Sequence, residues 1–256
     1  MAPTWRIPWR CCAAAARHAK MPHTMNDAPR LVAIGGGGFT HEVDPEMEDF
    51  ILAQVQRKRP RIGFVGTASQ DDPVKIARFH ARFANVCDQH THLPMHAAAA
   101  QAQAWVDALD IVYVGGGNTL HLLQLWRRHG IDQVMMGAAR RGVLMAGVSA
   151  GANVWFDHAL SDALGNGLAP LAGIGLVGGS CCPHYSSEPQ RQPVFTACIA
   201  RGDLPDGVAI DDGVAVLIDG TRPMVAFAAR SGVNAYRVRR TGAVAVSQRI
   251  PAVAAA

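Results

Sequence analysis

The sequence predicts an α/β protein, a three-layer α/β/α sandwich around a mostly parallel sheet, and three observations carry that expectation. Short apolar runs recur at Arg30–Ile34, Arg61–Val65 and 110–114, each too short for a core helix and suited to a strand. Between them lie stretches whose apolar residues fall at helical spacing, and strands alternating with helices build a sheet between helix layers. Glycine-rich turns follow the strands at 35–38, 115–117 and 147–151, and in open parallel sheets the functional loops gather at the carboxyl ends of the strands.

The chain has 256 residues, enough for one large core, and a single catalytic domain over 29–256 is expected. Hydrophobic residues make up 49% and charged residues 17%, which suits a folded enzyme and argues against disorder. The net charge of +4 is modest and the arginines are scattered, not striped with aromatics, so nucleic acid is not an expected partner. No apolar run reaches the roughly 18 residues of a membrane span, and no membrane association is expected. The six cysteines, Cys11, Cys12, Cys87, Cys181, Cys182 and Cys198, show no CxxC spacing. That argues against a zinc knuckle or a disulfide framework and points to free thiols in a reducing, cytoplasmic compartment. Residues 1–28 stand apart, with arginines and a lysine but no acid before Asp27. They read as a disordered leader or as the product of an upstream start codon, with Met21 or Met25 as the true beginning; a transit peptide is the alternative.

Taken in order, the first strand, Arg30–Ile34, runs into Gly35, Gly36, Gly37 and Gly38. The run does not match a nucleotide loop, because GGGGFTH lacks the third glycine of GxGxxG and the GK[ST] of a phosphate loop. Residues 45–57 carry Met47, Phe50, Ile51, Ala53 and Val55 at helical spacing, and the second strand, Arg61–Val65, ends at Thr67, Ala68 and Ser69. A helix over 73–84 is followed by a loop with His90, His92 and His96, read as surface groups since no acidic third ligand accompanies them. A helix over 100–109 and a strand over 110–114 lead to Gly115, Gly116, Gly117, Asn118 and Thr119, then to helices over 120–126 and 131–141.

The run 143–146 is a buried strand, and Ser149 follows it between Gly147 and Gly151 as the centre of a GxSxG elbow. Small residues there permit a sharp turn into a helix beginning near Ala152, with the hydroxyl at its tip and the Ala150 amide where anions are stabilised. A serine that merely caps the helix is the plainer alternative. The amides of Gly116 and Gly117 can face a substrate carbonyl and supply the other half of an oxyanion hole; a plain turn is again the alternative. Residues 157–171 read as a loop-rich segment with Asp157, Asp162 and Asn166, after which an extended run from Gly173 leads to Pro183 and His184, framed as a base for Ser149. Asp211 and Asp212 close a strand before Gly213, where one could orient the imidazole and both could form a turn. Residues 214–218 and 224–228 end the pattern like a hairpin.

IGGGGF, VGTAS, VYVGGGNTLHLL, GVSAGANVWF, CPHY and AIDDG, in that order, resemble the peptidase E family of serine peptidases and hydrolases, which includes aspartyl dipeptidase and cyanophycinase. The resemblance spans about residues 31–240. It implies a class I glutamine amidotransferase-like fold and amide-bond hydrolysis, with Ser149 as nucleophile, His184 as general base and Asp212 as the acid where dipeptidase-like members tend to have glutamate. Asp211 and Asp162 are the alternative acids. It also implies a small acidic, Asp-containing peptide as substrate, with Asn118 and Arg191 at binding positions, the guanidinium pairing a carboxylate; a surface arginine is the alternative. Relatives often read PHYD, where this chain has Ser186, and WFE, where it has Asp157, which bears on substrate preference. No metal or cofactor is implied, and a homodimer is left open. A cyanophycinase-like or other acyl hydrolase, and a non-catalytic binding protein of the same fold, are the competing expectations.

Overall fold

The computed structural model describes residues 28–220 and 222–254, so the expectation for the leader lies outside the described residues. The chain runs β1 (Arg30–Ile34), α1 (Glu46–Leu52), β2 (Arg61–Val65), a 3-10 turn η1 (Thr67–Ser69), α2 (Pro73–Phe83), β3 (Gln89–Leu93), α3 (Ala99–Asp107), β4 (Ile111–Val114), α4 (Thr119–His129), α5 (Ile131–Arg140), β5 (Leu144–Val148) and α6 (Ala150–Asn153). It continues through β6 (Phe156–Ser161), β7 (Ala169–Ala172), β8 (Val177–Cys182), α7 (Arg191–Arg201), β9 (Gly207–Ile210), β10 (Val214–Asp219), β11 (Val225–Ala228), β12 (Ala235–Thr241), β13 (Val244–Arg249) and β14 (Ala252–Ala254).

Side chains alternate across a strand, and here the alternation sorts the core into layers. Val32 and Ile34 of β1 pack with Met47 and Ile51 of α1 and Phe79 and Phe83 of α2. Leu31 and Ala33 face the other way, toward Val106 of α3, Leu122 and Trp126 of α4, and Met135 of α5. Helices therefore cover both faces of an eight-stranded sheet of order β14-β11-β10-β1-β5-β4-β2-β3, whose segment from β1 to β3 is wholly parallel. The expected α/β sandwich is present, and the expected hairpin is the antiparallel pair β10 and β11.

A second, six-stranded sheet of order β13-β12-β9-β8-β6-β7 was not foreseen. Its inner face adds Phe156, Cys181, Val208 and Ile210 to the core shared with α3, α4 and α5, and its outer face packs Cys182, Ala209 and Val238 against Phe195 and Ile199 of α7. Trp126 of α4 meets Trp155 edge to face, ring centroids 5.6 Å apart, at the seam between the two sheets.

Three expectations need correction. The two ends of the segment 157–171 are strand, in β6 and β7, because Phe156–Ser161 pairs with β7 and β8 and so finds partners for its backbone groups, while 162–168, with Asp162 and Asn166, is loop as expected. His90 and His92 lie in edge strand β3 instead of a loop, and both contact His80 of α2, at 2.9 and 3.1 Å. The helix after Ser149 starts at Ala150 and is four residues long. Among the described residues, Cys87, Cys181, Cys182 and Cys198 are free and buried, and no helix is long and apolar enough to cross a membrane.

Candidate active site

Register places the site. Ile34 of β1 pairs with Val148 of β5, and Val114 of β4 with Gly147, so the loops after these three strands emerge side by side. The turn after β5 is tight enough to require glycine at two points: a Cβ on Gly147 would lie 2.1 Å from the Gly151 carbonyl oxygen, and one on Gly151 2.0 Å from that of Val114. Ser149 takes φ 55°, a region that non-glycine residues enter only when their surroundings hold them there. Its amide donates to the Ile34 carbonyl at 3.0 Å, and its side chain accepts no helix-capping bond, so the capping alternative is not what is seen.

His184 comes from the second sheet, just past β8. The amide of Tyr185 donates to Ile210 at 3.1 Å, tying the histidine turn to the end of β9, and His184 itself sits at φ 54°. Its Nε2 is 2.8 Å from Ser149 Oγ and its Nδ1 is 2.7 Å from Asp212 Oδ1. Burial alone would raise the Asp212 carboxyl, but the bond and charge of His184, a bond from Ser187 and the nearby Arg230 outweigh it and hold the group below the usual carboxylate range. The acid is therefore ionised at neutral pH, with Nδ1–H as the donor it calls for, which leaves Nε2 free to accept from the serine hydroxyl.

The other two acids are elsewhere. Asp211 is buried, accepting from the Asn234 amide at 2.8 Å and from Ser186 Oγ, so it ties the turn after β9 to the loop before β12. Asp162 is exposed at the end of β6 and makes no hydrogen bond with His184.

Gly116 packs on the elbow: a Cβ on it would lie 3.2 Å from Ser149 Cβ. Among the described residues the amides of Gly116, Gly117 and Ala150 meet no protein acceptor, as donors kept for a developing oxyanion would. Asn118 is exposed; its Oδ1 accepts from the His121 amide at 2.8 Å and caps α4, leaving Nδ2 as the group it can offer a substrate. Arg191 does not fit its expected place at a substrate carboxylate. It is 4% exposed, donates to Glu188 at 2.6 Å and to the Leu160 carbonyl at 3.2 Å, and lies against the Cys182 thiol. A guanidinium with its donors so engaged serves the packing of α7 on the second sheet. That thiol is itself pushed up by burial to about 12, which leaves it protonated and unreactive.

Three contributors escaped the reading of the sequence. Gly36, in the glycine run after β1, lies under the acid: a Cβ there would come 2.2 Å from Asp212 Oδ1 and 2.8 Å from His184 Cε1. Its carbonyl accepts from the Gly213 amide at 2.9 Å, so the glycine run joins the two sheets beneath the site. Arg230, which helps keep Asp212 ionised, is paired with Asp44 at 3.1 Å. Lys75 of α2 donates to the Gly116 carbonyl at 3.3 Å. Gly36 stands in the IGGGGF run, which does not show what the glycine touches, and no short motif marks Arg230 or Lys75, because each of the three acts through a contact between segments distant in the chain.

The sequence profile of peptidase family S51 matches residues 31–225. Over 211 residues the chain is 38% identical to a protein named uncharacterized peptidase YgaJ in Bacillus subtilis, covering 82% of this chain and 91% of that one. A shorter stretch of 60 residues, 23% of this chain and 26% of the relative, is 43% identical to peptidase E of Citrobacter koseri. The crystal structure of a peptidase from an acI-B1 actinobacterium has the same fold, with a TM-score of 0.66 at 16% identity over 88% of this chain and 95% of that one.

Proposed function

The chain belongs to peptidase family S51, and we propose that within it this protein is a serine peptidase that cleaves small acidic, Asp-containing dipeptides. The observation that carries the reading is the unbroken hydrogen-bonded line from Asp212 through His184 to Ser149. In this reading Ser149 Oγ attacks the scissile carbonyl as its proton passes to His184 Nε2, and Asp212 stabilises the imidazolium that forms. The amides of Ala150 and of Gly116 or Gly117 hold the oxyanion. As the tetrahedral intermediate collapses, the C–N bond breaks, His184 protonates the leaving amine and an acyl-serine remains. Water, deprotonated by the same imidazole, then releases the acid and restores the serine.

The acidic preference draws its support from the family resemblance and from Arg230, half exposed beside Gly213. Two measurements test the proposal. Wild-type protein should be labelled by a fluorophosphonate at Ser149, and Ser149→Ala should lose several orders of magnitude in turnover while remaining folded. Full activity in a folded Ser149→Ala protein refutes the nucleophile, and equal kcat/KM on acidic and neutral dipeptides refutes the preference.

A further inference from the structure

We propose that Lys75 is a positioning residue for the oxyanion hole: by holding the carbonyl of Gly116 it sets the direction of the Gly117 N–H. The inference rests on the reading of Ser149 as nucleophile.

The loop after β4 is pinned at two places. The Gly115 amide donates to the Val65 carbonyl at 2.9 Å, and the Asn118 amide to the Ala68 carbonyl at 2.8 Å. Gly117 itself lies at φ 149° with its Cα pressed against η1, where a Cβ would stand 2.1 Å from the Ala68 oxygen. Between those anchors, the peptide joining Gly116 to Gly117 has no main-chain hydrogen bond among the described residues. Glycine stands on both sides of it, so little steric resistance opposes its rotation. In a trans peptide the C=O and N–H point to opposite sides of the chain. Rotated one way, this peptide offers its N–H to the space beside Ser149; rotated the other, it offers a carbonyl, which repels an oxyanion.

The Lys75 ammonium decides between the two by taking the carbonyl, at 3.3 Å. It is not placed there by a carboxylate. Lys75 forms no ion pair among the described residues, and the acids nearest it in the chain are engaged, Asp71 with the Met95 amide at 2.7 Å and Asp72 with the Val74 amide at 2.9 Å. The helix that carries Lys75 begins at that Asp72 cap, directly after η1, so one short segment holds both the carbonyl and the Asn118 amide. A charged donor also makes a stronger bond to a carbonyl than a neutral one does.

The experiment compares wild type with Lys75→Met, Lys75→Gln and Lys75→Arg in steady-state kinetics on acidic and neutral dipeptides, in fluorophosphonate labelling, and in inhibition by a peptide aldehyde, whose adduct with a serine carries the tetrahedral oxygen. Losing a whole oxyanion donor costs about 100- to 1,000-fold, and losing its orientation should cost part of that. The expected result for Lys75→Met and Lys75→Gln is a kcat roughly 10- to 100-fold lower, a KM within about twofold, and aldehyde affinity reduced by the same factor as kcat/KM, equally for both substrate charges. Lys75→Arg, which keeps a charged donor, should recover most of the loss. Unchanged kcat in folded Lys75→Met or Lys75→Gln overturns the inference, as does a loss confined to acidic dipeptides, which makes Lys75 a reader of substrate charge. Wild-type protein that is not labelled at Ser149 overturns the nucleophile and this inference together, whereas normal labelling beside an indifferent Lys75 overturns this inference alone.

Discussion

Replacing Glu48 by glutamine should make the protein's stability less sensitive to pH, by an amount the structure sets. The Glu48 side chain has no exposed surface, its Oε1 accepts from the Phe39 amide at 3.2 Å, and its Oε2 has no hydrogen-bond partner, with Arg82 Nε 3.7 Å away. Burial pushes the carboxyl up from 4.5 to about 7, against the pull of the Phe39 amide and Arg82. Because the folded chain holds this proton more tightly than the unfolded chain, the contribution is fully present below pH 4.5 and is lost as pH rises through about 7. At about 1.36 kcal/mol per tenfold change in proton affinity, a rise from 4.5 to about 7 corresponds to about 3 kcal/mol. Glutamine keeps the acceptor for Phe39 and does not titrate. The stability difference between Glu48→Gln and wild type, measured by urea unfolding, should therefore move in favour of the variant by about 3 kcal/mol between pH 4.5 and pH 8, or roughly 6–12 °C in Tm for a chain of this size. Taking the difference cancels every other titrating group. A difference that stays constant across this range refutes the reasoning.

Other perturbations act at the site. Asp212→Asn should lower turnover by about 10,000-fold with KM little changed, since asparagine stabilises the wrong imidazole tautomer, while Asp162→Asn stays near wild type; parallel kinetics on the two decide it, and a large loss only in Asp162→Asn moves the acid to the end of β6. Gly36→Ala should cut kcat by at least about 100-fold in a folded protein, because its methyl would stand where Asp212 Oδ1 is; near-normal kcat removes the loop from the site. Arg191→Ala should lower Tm, as it strips the Leu160 carbonyl of a buried donor, by about 1–3 kcal/mol of stability, and should leave the ratio of acidic to neutral dipeptide turnover unchanged; a changed ratio returns Arg191 to substrate binding.

The strands legible in the sequence are those whose surroundings impose a pattern. β1, β2, β4 and β5 are covered on both faces and so read as continuous apolar runs. β3, QHTHL, is an edge strand with one buried residue, and β8, VGGSCC, carries two glycines, so neither has a periodicity to read. Of the second sheet only the strand before Gly213 and an extended run before Pro183 stood out, which left the sheet itself hidden, and with it the burial of Arg191, since burial follows from what packs on a residue and leaves no mark at the residue itself. Ser149 and the glycines beside it were legible because a turn this tight excludes larger side chains. The choice between Asp211 and Asp212 rested on resemblance, because two adjacent acids at a turn face different partners that only the fold brings near: Asn234 and Ser186 for one, His184 for the other.

The three residues of the hydrogen-bonded line belong to different halves of the molecule. Ser149 leaves the larger sheet at β5, while His184 and Asp212 leave the smaller one after β8 and β9. Ser149 is also made 35 residues before His184, so a growing chain displays the hydroxyl well before it has an imidazole to accept the proton. A chain whose larger sheet has formed but whose smaller one has not docked thus holds an ordinary alcohol, no more reactive than any surface serine. In the proposed mechanism peptide hydrolysis is in this way tied to completed tertiary structure, since the line from Asp212 to Ser149 exists only where both sheets are in place.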